Sequence, residues 1–494
     1  MEPPTIVAVL ARKQRPTVPK SHTVFSWENV RQRYREGNKT TLQPTQPPVS
    51  IVTFLSQTPD LKERSTSGST WTTCSSIPSS STSDIPTLLP SSVIDTHNHV
   101  HFEGLTAATT ALTKHSAAAD GDEASTVLKL LVVMSTFHSG NAPDIHQTVA
   151  PADSKYVDTP PVPDWKLVEE LACRFPRSVI PAFGIHPWYA SLFGSQVGEE
   201  DPHEDDSRQD DPWWVSDLEI LLRKYPSAVV GEVGLDKLKG GGHVDIGRCK
   251  VCTPQTSAKT QRLCLQSTVL KQHLDVAVRL GGRAVSVHCV QATGRFFELL
   301  QKYPTDVYAA TKVDDDTAVV LRIALHSFTG TADFVKSLLA LEARRNRLIA
   351  KRKKKSQRRT RTQTTTSNGA DSRQGIAFEF YFGFSANVNL SCCGSSLGHT
   401  DVRQAPNMLA RGKKQVQRLQ SVLQVIPTDR VLVETDRGAL GSDVSNDLCA
   451  VCGMLAQYWP KGPVAPAAVA NITTMNALRF LRLPAASSEL SSIE

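Results

Sequence analysis

The 494-residue chain has no apolar stretch near the roughly 20 residues that a membrane-crossing helix needs; its longest runs, such as 128–134, fall far short. A transmembrane helix, and with it a membrane partner, is therefore not expected. The N-terminus lacks a basic n-region, offers only the brief apolar run 5–10 behind Glu2, and reads poorly as a secretory signal. Ten cysteines stand at irregular spacings without the pattern of a disulfide framework, and reduced thiols fit an intracellular setting, cytoplasmic or nuclear. Two pairs, Cys249/Cys252 and Cys449/Cys452, have C-x-x-C spacing. About 200 residues separate them, however, where a four-thiolate zinc site usually has about 15–20, so incidental cysteines are the better reading. A broad basic surface is missing too. The net charge is +7, but residues 344–362 hold eleven Lys or Arg and no acid, so the rest of the chain is mildly acidic.

What is present is ordinary globular material, 40% hydrophobic and 21% charged, enough to bury a sizeable core. Residues 1–90 are rich in Pro, Ser and Thr, culminate in the tract 65–92 and read as a disordered leader. Residues 91–485 read as one domain and 486–494 as a tail. Within the domain, short β-branched or apolar runs recur at 93–95, 128–134, 179–184, 228–234, 284–288, 323–326, 378–384 and 431–434. Most are followed by helical periodicity, as at 213–224, 260–280, 295–303, 332–343 and 413–425. Eight such βα units predict an α/β fold closed as a (β/α)8 TIM barrel. The stretches 103–126, 191–212, 237–258 and 391–411 read as long loops at the barrel mouth, and they explain the excess length without a second domain. The basic, low-complexity block at about 344–375 reads as a solvated insertion.

Chemistry-bearing residues fall where these strands end. Asp95-Thr96-His97-Asn98-His99 follows the first run directly, and in an extended segment residues two apart face the same side, so His97 and His99 can converge on one ion. The pattern then repeats around the barrel. Glu232 closes the fourth strand in Gly-Glu-Val-Gly-Leu-Asp, His288 the fifth in Val-Ser-Val-His-Cys, His326 the sixth in Ala-Leu-His-Ser-Phe-Thr-Gly, and Asp436 follows the eighth in Val-Glu-Thr-Asp. Ionisable groups at the ends of buried strands are costly unless paired, and a shared cation satisfies all of them. Four His and two carboxylates suit zinc, manganese or cobalt, or magnesium with weaker affinity.

Taken in order, Asp-Thr-His-Asn-His, Gly-Ile-His-Pro-Trp, Gly-Glu-Val-Gly-Leu-Asp, Val-His-Cys, His-Ser-Phe-Thr-Gly and Glu-Thr-Asp resemble the TatD family of metal-dependent hydrolases, in its eukaryotic branch. The resemblance covers roughly residues 91–485. It implies two divalent metal ions, one held by His97, His99 and Asp436, the other by His288 and His326, with Glu232 bridging both. It also implies a water activated between the ions, with Asp436 as the proton acceptor. Asp95 is expected to support the His pair from behind, or else to cap the strand. His186 matches a family position near the substrate. Trp188 beside it is suited to stacking on a base or to closing the barrel mouth.

Two departures bear on the substrate. Many TatD-like nucleases resemble His-x-Arg after the fifth strand, where this chain has His288-Cys289-Val290-Gln291, so an obvious cation for a phosphate is missing. Thr435-Asp436-Arg437-Gly438 also replaces the usual Thr-Asp-Ala-Pro, which makes Arg437 a candidate replacement. Lys351-Arg352-Lys353-Lys354-Lys355, with Arg358, Arg359 and Arg361, reads as a nuclear-localisation signal, a nucleic-acid contact or a solvated loop. The expected function is hydrolysis of phosphodiester bonds in DNA. The alternatives are a hydrolase of small esters, amides or lactones on the same site, and an interaction protein that binds protein partners through the leader and the basic segment.

Overall fold

The computed structural model describes residues 93–121, 128–135, 164–190, 193, 212–239, 252–253, 255–308, 318–362, 373–390, 406–438 and 443–483. The expected leader 1–90 and tail 486–494 lie outside the described residues, as does Cys249. All eight expected strand runs form strands: β1 Val93–Asn98, β2 Leu128–Met134, β3 Val179–Phe183, β4 Val229–Asp236, β5 Ala284–Val290, β7 Val319–Leu325, β8 Arg373–Ser385 and β9 Val431–Glu434. They pair in parallel in the order β1-β2-β3-β4-β5-β7-β8-β9. Backbone bonds from Asp436 N to His97 O (2.9 Å) and from His99 N to Arg437 O (2.7 Å) join the last strand's end to the first, closing the ring on the side where the motifs lie. The fold is a (β/α)8 barrel.

Alternation along the strands fills the barrel inside and out. In β2, Leu131 and Val133 join the core shared with the helices, while Leu130, Val132 and Met134 pack in a second core with Ile94, Ile180, Val229 and Leu432. That inner core also contains Phe480, Leu481 and Leu483, from the end of the last helix, so the barrel is plugged at the end away from the motifs. A strand buried on both faces reads as a continuous apolar run, which is why these eight were visible in the sequence.

The helices are α1 Leu105–Gly121, α2 Trp165–Arg174, α3 Trp213–Lys224, α4 Ala258–Arg279, α5 Thr293–Lys302, α6 Ala332–Thr362, α7 Pro406–Leu423, α8 Asp443–Gln457 and α9 Pro466–Leu481. Residues 406–411, read as the end of the loop 391–411, instead open α7. Two further expectations are corrected here. The stretch 103–126, read as a loop, is mostly helix, held by the buried pair Ala108 and Leu112 one turn apart; its Ala and Thr content concealed the period. The basic block does not leave the helix at 343. Helix α6 continues to Thr362, because Lys, Arg, Ala and Leu favour helix and no Gly or Pro interrupts them. A short strand, β6 (Asp306–Tyr308), pairs antiparallel with the first residues of β8 and was not foreseen. Among the described residues no helix is long and apolar enough to cross a membrane.

Candidate metal centre

The Asp-Thr-His-Asn-His segment places its residues as the strand period predicts. Asn98 turns away, donating to Asp95 Oδ2 (3.3 Å) and Thr435 Oγ1 (3.0 Å) and accepting from Val100 N (2.7 Å). His97 and His99 converge. His99 Nδ1 donates to Met134 O at 2.9 Å, which leaves its Nε2 lone pair facing the barrel axis. His97 Nδ1 meets Ser286 Oγ at 3.2 Å, and its Nε2 stands 3.1 Å from His99 Nε2. Both Nε2 atoms approach Glu232 Oε2, at 3.4 and 3.2 Å, and Asp436 Oδ1, at 3.8 and 3.9 Å.

A second group gathers on the other oxygen of the same carboxylate. His288 Nδ1 lies 2.9 Å from Glu232 Oε1, His326 Nε2 2.8 Å and His186 Nε2 3.3 Å. His288 Nδ1 is also 3.1 Å from His326 Nε2 and 3.4 Å from His186 Nε2. Five imidazoles thus surround one buried carboxylate, and its two oxygens divide them into two sets.

The donor set fits a metal ion. Ligands about 2.1 Å from a common ion stand roughly 3.0–3.4 Å from one another, and most of the separations above lie near that range. Two imidazole nitrogens held nose to nose at 3.1 Å repel unless a proton or a cation lies between them, and the bond to Met134 has already directed the proton of His99 elsewhere. His97 with His99 and Asp436, His97 with Glu232 and His326, and His186 with Glu232 and His288 each offer three atoms close enough for one ion.

Local backbone geometry makes this convergence possible. Asp436 adopts a left-handed conformation (φ 55°), which Asp tolerates better than most residues, and Ser327 Oγ donates to its Oδ2 at 2.7 Å. Gly234 has φ 152°, and a Cβ there would lie 1.9 Å from His288 O, so only glycine lets β4 and β5 approach at the site. Asp95, fully buried, accepts from His97 N (3.2 Å), Thr435 N (3.0 Å) and Thr435 Oγ1 (2.6 Å). It ties β1 to the end of β9 and touches the backbone of His97 rather than its ring. Burial lifts its carboxyl to about 6 against those hydrogen bonds.

The electrostatics follow from burial and from the carboxylate at the centre. Burial alone would raise Glu232, but His186, His326 and His97 hold it well below the usual range. Burial holds His97 and His186 down to about 4. Burial also opposes charge on His288, yet its bonds to Asp236 and Glu232 push it up to about 9.

Every expected ligand position therefore reaches one cluster: His97, His99, Glu232, His288, His326 and Asp436. His186, expected against the substrate, stands in the cluster itself. Arg437 is exposed and forms an ion pair with Asp447, so its charge is directed away from the centre. Trp188 Nε1 donates to Asp236 Oδ2 (2.8 Å), and the same oxygen meets His288 Nε2 (3.2 Å). Asp236 was overlooked, although it closes the Gly-Glu-Val-Gly-Leu-Asp motif; it fixes the His288 ring and aims Nδ1 at Glu232. Lys239, whose Nζ lies 4.6 Å above the Trp188 ring, was also overlooked and carries no motif signal.

The model of the TatD-related DNase family matches residues 94–361, more than half of the chain. The chain belongs to this family. It is 25% identical over 219 residues to the Cut9-interacting protein scn1 of Schizosaccharomyces pombe, a match covering 36% of this chain and 64% of that protein, less than two thirds of its length. Among solved structures, it is similar to an uncharacterized amidohydrolase from Saccharomyces cerevisiae, at 13% identity and a TM-score of 0.36, over 79% of this chain and 97% of the other. A TatD family hydrolase from Entamoeba histolytica is matched at 10% identity and a TM-score of 0.39, over 79% and 99% of the two chains.

Proposed function

We propose that this TatD-family chain is a metal-dependent hydrolase of phosphodiester bonds in DNA, using a dinuclear centre. One ion would be held by His97, His99 and Asp436 and the other by His288 and His326, with Glu232 within reach of both sets and His186 at the edge of the second. The observation that carries this reading is the division of five imidazoles between the two oxygens of Glu232. Bound ions lower the pKa of water and polarise the bond under attack. The chain's own residues do the rest. Asp436, the partly exposed carboxylate at the rim, accepts the proton from the attacking water, and Ser327 Oγ holds its other oxygen. Trp188 and Lys239 form a ring and a cation beside the second set, suited to a base and its phosphate.

A second reading, hydrolysis of small esters, amides or lactones, is favoured by two observations. Arg437 is engaged by Asp447, and the connection between β3 and α3 carries eight Asp or Glu against one Arg in residues 199–211, which disfavours a long polyanion. The test is to measure bound metal by mass spectrometry, then assay a labelled oligonucleotide and a panel of small esters and lactones, beside Glu232→Gln. DNA cleavage that disappears with the metal in the variant supports the proposal. Metal bound with only the small substrates turned over moves the function to the second reading. Metal bound with neither cleaved leaves an interaction protein, as the name of the fission yeast relative says of that protein.

A further inference from the structure

Helix α6 has 31 residues and is about 46 Å long, whereas the seven residues of β7 before it span about 23 Å. The helix starts just past His326, at the motif-bearing end, and runs back antiparallel to its strand, so its second half passes the opposite end of the barrel. Contacts mark where this happens. Val335, Leu338 and Leu341 are buried against the core. Next, Arg345, 3% exposed, donates to the carbonyls of Leu300 (3.0 Å), Tyr303 (2.6 Å) and Pro304 (2.7 Å) at the far end of α5 and covers the Phe378 ring near the start of β8. Beyond it, Ile349 meets Gly375 and Arg352 pairs with Asp306, both on the small β6–β8 ribbon.

The outward side of this segment is cationic. Arg344, Arg347, Lys351 and Lys354 are all exposed, spaced three, four and three residues apart, and the sequence continues the spacing to Arg358 and Arg361. Neighbours at such spacings on a helix repel when alike in charge, and no acid falls between 344 and 362 to relieve them. The helix dipole favours cations only in the last turn, so it does not account for residues 344–354. A helix carried beyond its core with a single-sign stripe is matched by a partner that supplies the opposite charge in a regular row.

We infer that the outward stripe Arg344-Arg347-Lys351-Lys354 is a docking surface for the phosphate backbone of a nucleic-acid duplex, at the end of the barrel opposite the metal centre. A duplex presents one negative charge per about 1.7 Å along its axis, a continuous row that a straight helical stripe can follow. No Phe, Trp or Tyr lies between 344 and 362 to stack on unpaired bases, which favours a duplex over a single strand and predicts binding without sequence preference. Docking here tethers the protein to the polymer and leaves the mouth free, so binding and hydrolysis are separable.

The test is fluorescence anisotropy of a labelled 20-base-pair duplex with the full-length protein in excess EDTA, across a salt series. The fourfold variant R344Q/R347Q/K351Q/K354Q is compared with the parent and with K413Q/K414Q, which removes two exposed cations on α7, outside the stripe. The parent is expected to bind with a salt slope that falls by about 3.6 in the fourfold variant, which removes four phosphate contacts, and with affinity reduced on the order of tenfold or more. K413Q/K414Q should bind like the parent, and two unrelated duplex sequences should bind alike. Unchanged affinity in the fourfold variant overturns the inference. So does loss of binding confined to K413Q/K414Q, which would place the duplex away from the stripe. Equal competition by polyglutamate at matched charge would replace the duplex with an acidic protein segment. Unfolding midpoints of the variants, measured alongside, separate lost binding from lost fold.

Discussion

His273 couples the stability of the barrel to pH through a contact just behind the metal centre. Its ring, wholly buried on α4, stacks on Trp214 with centroids 4.7 Å apart. Nδ1 donates to Val269 O at 2.7 Å, so the ring must stay neutral for Nε2 to accept from Ile185 N at 3.3 Å. Ile185 precedes His186. Burial holds the His273 pKa down to about 4, against 6.5 for a free ring. Because the folded value lies below the unfolded one, the unfolded chain takes up a proton between these limits that the folded chain refuses. The stability is complete above about pH 6.5 and is lost as pH falls toward about 4. At 1.36 kcal/mol per unit, the loss at pH 5.0 comes to about 2 kcal/mol. Urea unfolding of the parent and of His273→Gln at pH 7.5 and 5.0, with EDTA present in both, isolates this group from the other histidines. The variant is expected to be weaker at pH 7.5 but to lose about 2 kcal/mol less on acidification. Equal losses in the two proteins would refute the reasoning.

Two further substitutions probe the geometry of the centre. Gly234→Ala must place a methyl against His288 O in a backbone conformation closed to Ala, so a loss of about 3 kcal/mol or more is expected in thermal unfolding followed by circular dichroism. An unchanged midpoint would mean that β4 and β5 can separate freely. Ser327→Ala removes the hydroxyl that donates to Asp436 Oδ2 and meets Ser385 Oγ at 2.6 Å. Calorimetric titration with zinc or manganese should show affinity lower by about 10-fold or more, at a stability cost of about 1 kcal/mol. Parental affinity would leave Asp436 oriented by its backbone alone.

The parts of this molecule that the sequence revealed are those governed by short-range rules. Each barrel strand is buried on both faces and so appears as an apolar run, and each ligand stands at the end of such a run, as His288 does after Val285 and Val287. The missed parts depend on partners distant in sequence. Asp236 looks like any acid after a strand until Trp188 and His288 arrive from 48 and 52 residues away. Arg437 reads as a free cation until Asp447, on the next helix, takes it up. The basic run reads as a loop because its charge suggests solvent. Its backbone is nevertheless helical, anchored by Arg345 and Arg352 to carbonyls and an acid 41 to 46 residues earlier.

The same distinction separates the two acids of the Glu-Thr-Asp motif. Glu434 is 2% exposed, and its Oε1 accepts from Ser327 N at 2.5 Å. Burial raises its pKa well above the usual range against that bond, and the nearby Asp436, Asp95 and Glu232 raise it further. Gly383 faces it without a side chain, because a Cβ there would lie 2.4 Å from Glu434 Oε2. Glu434 therefore braces the residue after β7 through Ser327 N, while Asp436 turns its carboxylate toward His97 and His99.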